Sequence, residues 1–263
     1  METDAQLSER DRSSRSQEGQ EERSRSSRTR RGLGLLTGGG PWRRAGVLAA
    51  ACAVFVLLLS AFVVQPFLIP SGSMENTFRP GDRVLVNKLA YRFGDTPRRG
   101  DVIVFDGTGS FVQKEPSQNP VAALLRGAAA AVGLAEPAET DYIKRVVGVG
   151  GDRVRCCDKR GRIEVNGKPV DEDYLFPGDA PSQVPFDIVV PEGKLWVMGD
   201  HRSDSRDSRD HLGEPGGGTV PVDKVIGRAD WIGWPVGRWS GVHRPAAFGR
   251  VPDPAASAGG AHG

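Results

Sequence analysis

The strongest hydrophobic pattern in the chain is an uninterrupted apolar run at residues 45–64, AGVLAAACAVFVLLLSAFVV. It contains no charged residue, and only Gly46 and Ser60 fall outside the apolar set. A helix of this length is about 30 Å long, which matches the hydrocarbon core of a bilayer. The run therefore predicts a transmembrane helix over residues 45–64.

A cleaved secretory signal is the competing interpretation of this run. Its charged leading region would be 44 residues long and its apolar core 20 residues. Both are longer than is usual for a signal peptide, so an uncleaved anchor is favoured. No second apolar run of comparable length follows, and we expect the chain to cross the membrane once.

The pattern after the anchor changes to short β-branched segments bounded by Gly, Asp or Pro, which indicate strands. They lie at residues 82–88, 101–105, 142–149 and 194–198. Asn166-Gly167 lies between strand-forming residues and predicts a hairpin turn. Because helical patterns do not alternate with these strands, the fold class predicted for residues 65–243 is mostly β, an antiparallel-sheet domain.

An exception is expected within an insertion at residues 106–139. Residues 121–135 are rich in Ala and Leu and lie between Pro120 and Pro137. They could form a short helix that lies on the membrane surface, but their Gly residues and low charge leave this a hypothesis. The segment at 244–263 is rich in Pro, Ala and Gly and is predicted to be a loose tail.

Charge is distributed unevenly, although 35 Lys and Arg nearly balance 33 Asp and Glu. Residues 1–44 carry ten Arg and seven acids, a net +3, whereas the remainder has 25 basic and 26 acidic residues, a net −1. No Lys or Arg follows the apolar run until Arg79. By the positive-inside rule, the N-terminus is cytoplasmic and the β domain is extracytoplasmic.

The first 44 residues are predicted to be a disordered cytoplasmic tail, because they contain too few apolar residues to offset the entropy of ordering. A nucleic-acid-binding tail of Arg and Ser is the alternative, but Glu18, Glu21 and Glu22 are interleaved with the arginines. The balanced overall charge also argues against a nucleic-acid partner.

Cysteine usage excludes a disulfide framework, because three Cys cannot all pair within one molecule. Cys156 and Cys157 are adjacent, and a bond between neighbours would be strained. Free or intermolecular thiols are expected as readily, so the thiol state is left open.

A candidate nucleophile lies just after the anchor, in the sequence Ile69-Pro70-Ser71-Gly72-Ser73-Met74. A catalytic serine needs an accessible hydroxyl, backbone donors for an oxyanion and a base. Gly72 permits close backbone approach, and Ser71 can add a hydroxyl donor. Such a small-residue turn is common in loops, so these residues alone do not establish catalysis.

Two kinds of base are available for such a serine. Asp200 next to His201 suggests a Ser/His/Asp triad, but adjacent residues seldom direct their side chains at each other. The alternative is a lysine kept neutral by burial. In residues 141–147, period-2 alternation places Lys144 on one strand face with Tyr142 and Val146. The competing interpretation is a lysine that extends to solvent from an edge strand.

A third cluster, residues 198–209, alternates Asp, Ser and Arg. Such a run is either a solvated surface or a dense hydrogen-bond network. Its acids are not spaced as in a calcium-binding loop, so no metal or other cofactor is predicted.

Taken in order after a single anchor, these clusters resemble bacterial type I signal peptidases, the serine/lysine-dyad membrane proteases. The resemblance covers residues 45–235 and rests on four motifs: residues 70–74, 99–105, 142–148 and 199–209. It implies a membrane-anchored serine endopeptidase that removes signal peptides after Ala-x-Ala-like sequences. Its implied partners are signal-peptide-bearing pre-proteins and the lipid bilayer of the cell membrane.

The resemblance also implies roles for particular residues. Ser73 is the nucleophile, Lys144 is the general base, and Ser71 joins the main-chain N–H of Ser73 in the oxyanion hole. Ser205 orients the lysine amine. Asp200, Asp207 and Arg209 form the supporting polar network, and shallow pockets for small side chains are lined by Ile69, Pro70, Met74, Phe78, Tyr142 and Ile143.

Two other functions compete with this one. An anchored β domain that only binds partners would be favoured if Ser73 or Lys144 were replaced, yet both are present, as is Ser205. A self-cleaving regulator of the SOS-repressor type uses similar Ser/Lys chemistry. That function requires a DNA-binding domain, which residues 1–44 cannot form.

Overall fold

The computed structural model describes residues 40–112 and 140–254. The predicted helix at 121–135, most of the predicted insertion, residues 1–39 of the N-terminal tail and residues 255–263 lie outside the described residues.

The apolar run forms a helix, α1 (Pro41–Phe62). Among the described residues it is the one helix long and apolar enough to cross a membrane. It begins four residues before the predicted span and ends two residues before that span's end. The chain is already extended at Val64, which pairs with Asn87 in a sheet. The predicted C-terminal end of the helix is therefore two residues too late, because the apolar residues of the first strand continue the apolar pattern of the helix.

The main sheet is antiparallel and has eight strands in the order β1-β2-β11-β3-β4-β9-β10, with β12 paired to β11. They are β1 (Val64–Leu68), β2 (Arg83–Asn87), β3 (Val102–Asp106), β4 (Asp141–Val149), β9 (Lys194–Met198), β10 (Val220–Pro221), β11 (Val225–Trp234) and β12 (Ser240–Gly241). All four predicted strand segments are present, and the mostly β antiparallel fold class is confirmed. The strand β11 was not predicted, although it is the longest and separates β2 from β3.

A second, four-stranded sheet has the order β7-β6-β5-β8. It consists of β5 (Arg153–Cys156), β6 (Ile163–Val165), β7 (Lys168–Pro169) and β8 (Phe186–Val189). Asn166 and Gly167 join β6 to β7 with φ angles of 52° and 73°. Positive φ at both central residues is what a tight two-residue hairpin turn requires, so the predicted hairpin is confirmed. A disulfide joins Cys156 to Cys157 at the end of β5, and Cys52 is free.

The C-terminal segment is packed on the domain at least as far as Val251. Ala247, Phe248 and Val251 are buried in the hydrophobic cluster that also contains residues of the second sheet. Arg244 reaches back to Asp101, with Nη2 2.6 Å from the carboxylate oxygen Oδ1. The prediction of a loose tail from residue 244 is therefore wrong for residues 244–251, because sparse apolar residues among Pro and Gly suffice to dock a segment.

Candidate active site

The serine turn predicted to hold the nucleophile is a single turn of 3-10 helix, Gly72–Met74. The side chain of Met74 is fully buried and fixes one end of the turn. The carbonyl of Ser73 accepts a hydrogen bond from the backbone N–H of His201 at 3.2 Å. Ser71 is exposed, and its Oγ lies 3.4 Å from that of Ser73. The turn thus joins the sheet to the segment that follows β9.

Lys144 donates a hydrogen bond from Nζ to Ser73 Oγ at 2.6 Å. Its strand β4 lies inside the main sheet, between β3 and β9, and the residue is 4 % exposed. The alternative of a lysine extending to solvent from an edge strand is therefore excluded. The structure brings together two side chains that are 71 residues apart in the chain.

Burial of the Lys144 amine lowers its pKa to about 8, whereas the charges of Asp207 and Asp200 oppose this shift. The cause is loss of hydration, which penalises the ammonium more than the neutral amine. A lysine with this pKa has an appreciable neutral fraction near neutral pH. The geometry and the pKa together allow Lys144 to accept a proton from the Ser73 hydroxyl.

Asp207 organises the polar cluster next to this pair. Its Oδ2 accepts hydrogen bonds from the Ser205 hydroxyl at 2.8 Å and from the Gly199 N–H at 2.9 Å. Arg209 donates to the same carboxylate from Nε and Nη2, both at 2.8 Å. Burial alone would raise the pKa of Asp207, but the hydrogen bonds and charge of Arg209 outweigh it and hold the pKa below its ordinary value.

Asp200 belongs to a separate part of the network. It forms a buried ion pair with Arg145, whose Nε and Nη2 lie 2.8 and 2.6 Å from the carboxylate. Thr77 donates to Asp200 at 2.5 Å, and the guanidinium of Arg145 lies 4.2 Å from the ring centre of Tyr174. The predicted support network therefore consists of two carboxylates, each with its own arginine.

The sequence patterns did not indicate that Arg145, Thr77 and Tyr174 belong to this network. A signal for Arg145 was available, because strand alternation placed an arginine between Ile143 and Val147 on an apolar face. A buried guanidinium requires a carboxylate partner, but the pattern does not say which one. Thr77 and Tyr174 carried no local signal.

Gly199 is the point where the serine turn and the polar cluster meet. A Cβ added to it would lie 2.2 Å from Ser205 Oγ and 2.4 Å from the carbonyl oxygen of Ser73. Non-bonded atoms in proteins do not approach each other so closely, so only glycine at position 199 allows Ser205 and the Ser73 carbonyl to occupy these positions. The position therefore sets the spacing between Ser73 and Ser205.

Neither described histidine near these motifs is placed to act as the base. The His201 ring stacks on Phe176 with ring centres 4.0 Å apart, while the adjacent Asp200 binds Arg145. His211 stacks on Phe111 at 4.4 Å and lies next to Glu214. Within residues 40–112 and 140–254, no three His, Cys, Asp or Glu residues are grouped as metal ligands.

The residues predicted to line the substrate pocket fall into different environments. Ile69, Met74, Phe78 and Ile143 share one hydrophobic cluster, whereas Tyr142 packs against Phe105 and Phe111 in another. Pro70 is exposed on the serine turn. Met74 and Phe78 have no exposed surface. A substrate side chain therefore cannot contact Met74 or Phe78 without a local shift, and the pocket predicted at these residues stays a prediction.

Comparison with protein families places this arrangement in context. Residues 42–234 match the family described as "Signal peptidase, peptidase S26". The matched range includes the apolar helix, the serine turn, Lys144 and the polar cluster.

Two mycobacterial relatives agree with the family match. The probable signal peptidase I of Mycobacterium leprae is 40 % identical over 230 residues, which cover 76 % of this chain and 78 % of the relative. Signal peptidase I of Mycobacterium tuberculosis is 42 % identical over 219 residues, or 75 % of this chain and 74 % of the relative. The crystal structure of a signal peptidase I from Enterococcus faecalis gives a TM-score of 0.32 at 23 % identity, covering 51 % of this chain and 97 % of that chain.

Proposed function

The chain belongs to the peptidase S26 family of signal peptidases, and we propose that it cleaves signal peptides from exported pre-proteins by means of a Ser73–Lys144 dyad. That it is a peptidase follows from the family. The single observation that carries the assignment of the dyad is the buried contact of 2.6 Å between Lys144 Nζ and Ser73 Oγ.

In the acylation step, Ser73 Oγ attacks the carbonyl carbon of the residue that precedes the scissile bond. Neutral Lys144 accepts the hydroxyl proton, which makes Oγ nucleophilic. The negative charge that develops on the carbonyl oxygen is stabilised by the Ser73 N–H and the Ser71 hydroxyl. When the C–N bond breaks, the Lys144 ammonium protonates the leaving amine, which is the new N-terminus of the mature protein.

Deacylation reverses these roles with water in place of the amine. Lys144, neutral again, accepts a proton from the water that attacks the Ser73 ester. The ester bond breaks, Ser73 regains its proton from the lysine, and the carboxylate of the signal peptide departs. Ser205, fixed by Asp207, orients the lysine amine through both steps.

Selection for small residues before the scissile bond follows from the packing beneath the serine turn. Ile69, Met74 and Phe78 are already fully packed, so little depth remains for a substrate side chain. A shallow pocket excludes large residues sterically while accepting alanine. We therefore propose Ala-x-Ala-like sequences as the preferred cleavage sites.

Membrane anchoring by α1 completes the proposal. The arginine-rich segment before the helix orients the N-terminus to the cytoplasm and the β domain to the extracytoplasmic side. A signal peptide is held by its own apolar helix in the same bilayer. Enzyme and substrate then meet at a raised effective concentration, close to the outer membrane surface.

The test is cleavage of a pre-protein by the full-length enzyme in detergent, comparing the wild type with Ser73→Ala and Lys144→Ala. We expect both variants to lose cleavage by a factor of about 10³ or more, because neither half of the dyad acts alone. Ser240→Ala and Lys168→Ala, at exposed positions outside the site, serve as matched controls and retain wild-type activity. Full activity in either dyad variant would overturn the assignment.

A further inference from the structure

A cavity lies next to Ser205, outside the apolar residues assigned to the positions before the scissile bond. Its volume is about 160 Å³, which is room for several water molecules or one polar side chain. We call it the polar pocket. Besides Ser205 and Arg202, its lining residues are Ala180, Gln183, Val184, Ser203, Arg209 and Asp210.

The polar pocket lies on the Ser205 side of the serine turn. Ser205 lines the pocket, and a Cβ added to Gly199 would contact both Ser205 Oγ and the carbonyl oxygen of Ser73, so the Ser205 wall of the pocket lies close to the backbone of the nucleophile. The apolar residues Ile69 and Ile143 belong to a different cluster, which the proposed function assigns to residues before the cut. An extended substrate advances about 3.3 Å per residue, so its first two mature residues extend roughly 7 Å beyond the scissile bond.

One wall of the pocket is held rigidly by Arg202. Its guanidinium donates to the carbonyl oxygens of Gly199 at 2.8 Å and Pro181 at 2.6 Å, and it forms an ion pair with Glu172. The side chains of Arg202 and Glu172 are 1 % and 2 % exposed. The segment bearing Ala180 and Val184 is thus fixed to the catalytic segment before any substrate arrives.

The lining groups that have no protein hydrogen-bond partner determine which ligands the polar pocket can bind. Arg209 donates to Asp207 from Nε and Nη2, and Nη2 also donates to the carbonyl oxygen of Arg202. Within the described chain, Arg209 Nη1 has no protein partner. Asp210 accepts from the Asp207 N–H through Oδ2, which leaves Oδ1 without a partner there. Arg209 and Asp210 therefore offer one donor and one acceptor, and the amide of Gln183 on the same lining can supply either kind. An amide side chain complements both, whereas Asp210 repels an acid and Arg209 repels a base.

We propose that the polar pocket binds a Gln or Asn side chain at one of the first two positions after the scissile bond. The proposal rests on the proposed function, since it assigns the mature side of the same substrate. The amide oxygen accepts from Arg209 Nη1, and the amide nitrogen donates to Asp210. The enzyme consequently discriminates among the N-terminal residues of the mature protein as well as among those of the signal peptide.

The test measures kcat/KM of the full-length enzyme in detergent with peptides that carry Ala-x-Ala before the cut. Ala, Gln, Glu or Lys is placed at the first or the second position after it. At one of the two positions, we expect kcat/KM of the Gln peptide to exceed that of the Ala, Glu and Lys peptides by about threefold to tenfold. This is the effect of one or two hydrogen bonds. Equal values for all four residues at both positions would overturn the proposal without any variant being needed.

Two variants locate the preference in the pocket. Ala180→Leu fills the cavity and should abolish the advantage of Gln while preserving the requirement for alanine before the cut. Asp210→Asn removes the negative charge and should raise the rate for Glu relative to Gln. Ala246→Leu and Asp173→Asn, at exposed positions outside the cavity, are the matched controls.

The outcomes separate the two proposals. Absence of cleavage of any peptide by the wild type contradicts the proposed function itself. Cleavage with a Gln preference that survives Ala180→Leu contradicts only the assignment of the pocket. Thermal unfolding of each variant distinguishes loss of the pocket from loss of the fold.

Discussion

At the scale of single residues, the candidate chemistry depends on one lysine in an environment that disfavours its charge. Burial pulls the pKa of Lys144 down to about 8, while the nearby carboxylates limit the shift. Asp207 forms an ion pair with Arg209, and Asp200 forms one with Arg145. Their negative charges are thereby partly compensated, and the lysine can still lose its proton.

Activity should therefore rise with pH until Lys144 is neutral. Below a pH of about 8 the fraction of neutral amine falls about tenfold per pH unit, and kcat/KM should follow it. The measurement is the pH dependence of kcat/KM between pH 5 and 10 with a peptide that does not titrate in this range. A flat profile down to about pH 5 would contradict Lys144 as the base.

The variant Asp207→Asn should move this acid limb to lower pH. It removes a charge that raises the pKa of Lys144 and leaves the charge of Arg209, which lowers it, uncompensated. The rate on the plateau should fall about 10- to 100-fold, because a charge-assisted hydrogen bond to Ser205 is weakened. Asp223→Asn, at an exposed position, is the control, and a shift of the limb to higher pH would contradict this electrostatic assignment.

Gly199→Ala tests the packing between Ser73 and Ser205. The added methyl group would overlap the Ser73 carbonyl oxygen and Ser205 Oγ, and a backbone carbonyl cannot rotate away. We expect kcat to fall at least about 100-fold, with a loss of about 1–3 kcal/mol in the free energy of unfolding. Gly213→Ala is the matched control, because a Cβ there meets no atom within 4 Å. Retained activity in Gly199→Ala would contradict the requirement for glycine between Ser73 and Ser205.

At the scale of elements, the site depends on strands that are distant in the chain. Strand β4 supplies Lys144, and its neighbour β9 leads into the segment that bears Ser205 and Asp207. The serine turn follows the edge strand β1 and is joined to that segment by the His201 N–H. Each element is short, so the relative position of their side chains is set by sheet register.

The docked C-terminal segment should contribute measurably to the stability of the domain. Phe248 is 3 % exposed and stacks near Tyr174, whose ring also covers Arg145. Phe248→Ala should lower the free energy of unfolding by about 3–5 kcal/mol, the usual cost of removing a buried phenylalanine. Denaturant unfolding monitored by tryptophan fluorescence measures this, with the exposed Arg250→Ala as control. Equal stability of the two variants would indicate that the segment does not remain docked.

At the scale of the whole molecule, charge and hydrophobicity are divided along the chain in a way that the averages conceal. The net charge of +2 combines an N-terminal region of +3 with a remainder of −1. The helix α1 spans the junction of these two regions, and its apolar side chains are exposed, as expected for a surface that contacts lipid. This division is the physical basis of the proposed single-pass topology.

The topology can be tested by protease protection in intact spheroplasts. An epitope before residue 1 should be protected until the membrane is permeabilised, whereas an epitope after residue 263 should be digested from outside. Replacing Arg28, Arg30, Arg31, Arg43 and Arg44 by Glu should weaken this orientation, because the positive charges retain the N-terminus in the cytoplasm. Protection of the C-terminal epitope in the wild type would contradict the proposed orientation.

Local features of this protein could be inferred from the sequence alone. The apolar helix, the four strands and the Asn166-Gly167 hairpin depend on runs of a few residues, whose hydrophobicity and backbone preferences act at short range. The roles of Ser73 as nucleophile and Lys144 as base were proposed from resemblance to a family, since a small-residue turn and a lysine on a strand are common by themselves.

The tertiary structure alone decided which distant groups meet. Sequence patterns did not indicate that β11 lies between β2 and β3, that Arg145 pairs with Asp200, or that the segment after residue 244 is docked. Such contacts depend on sheet register and on the shape of the remaining core, which no local pattern encodes. The lowered pKa of Lys144 has the same origin, because it depends on how fully the folded chain removes the amine from water.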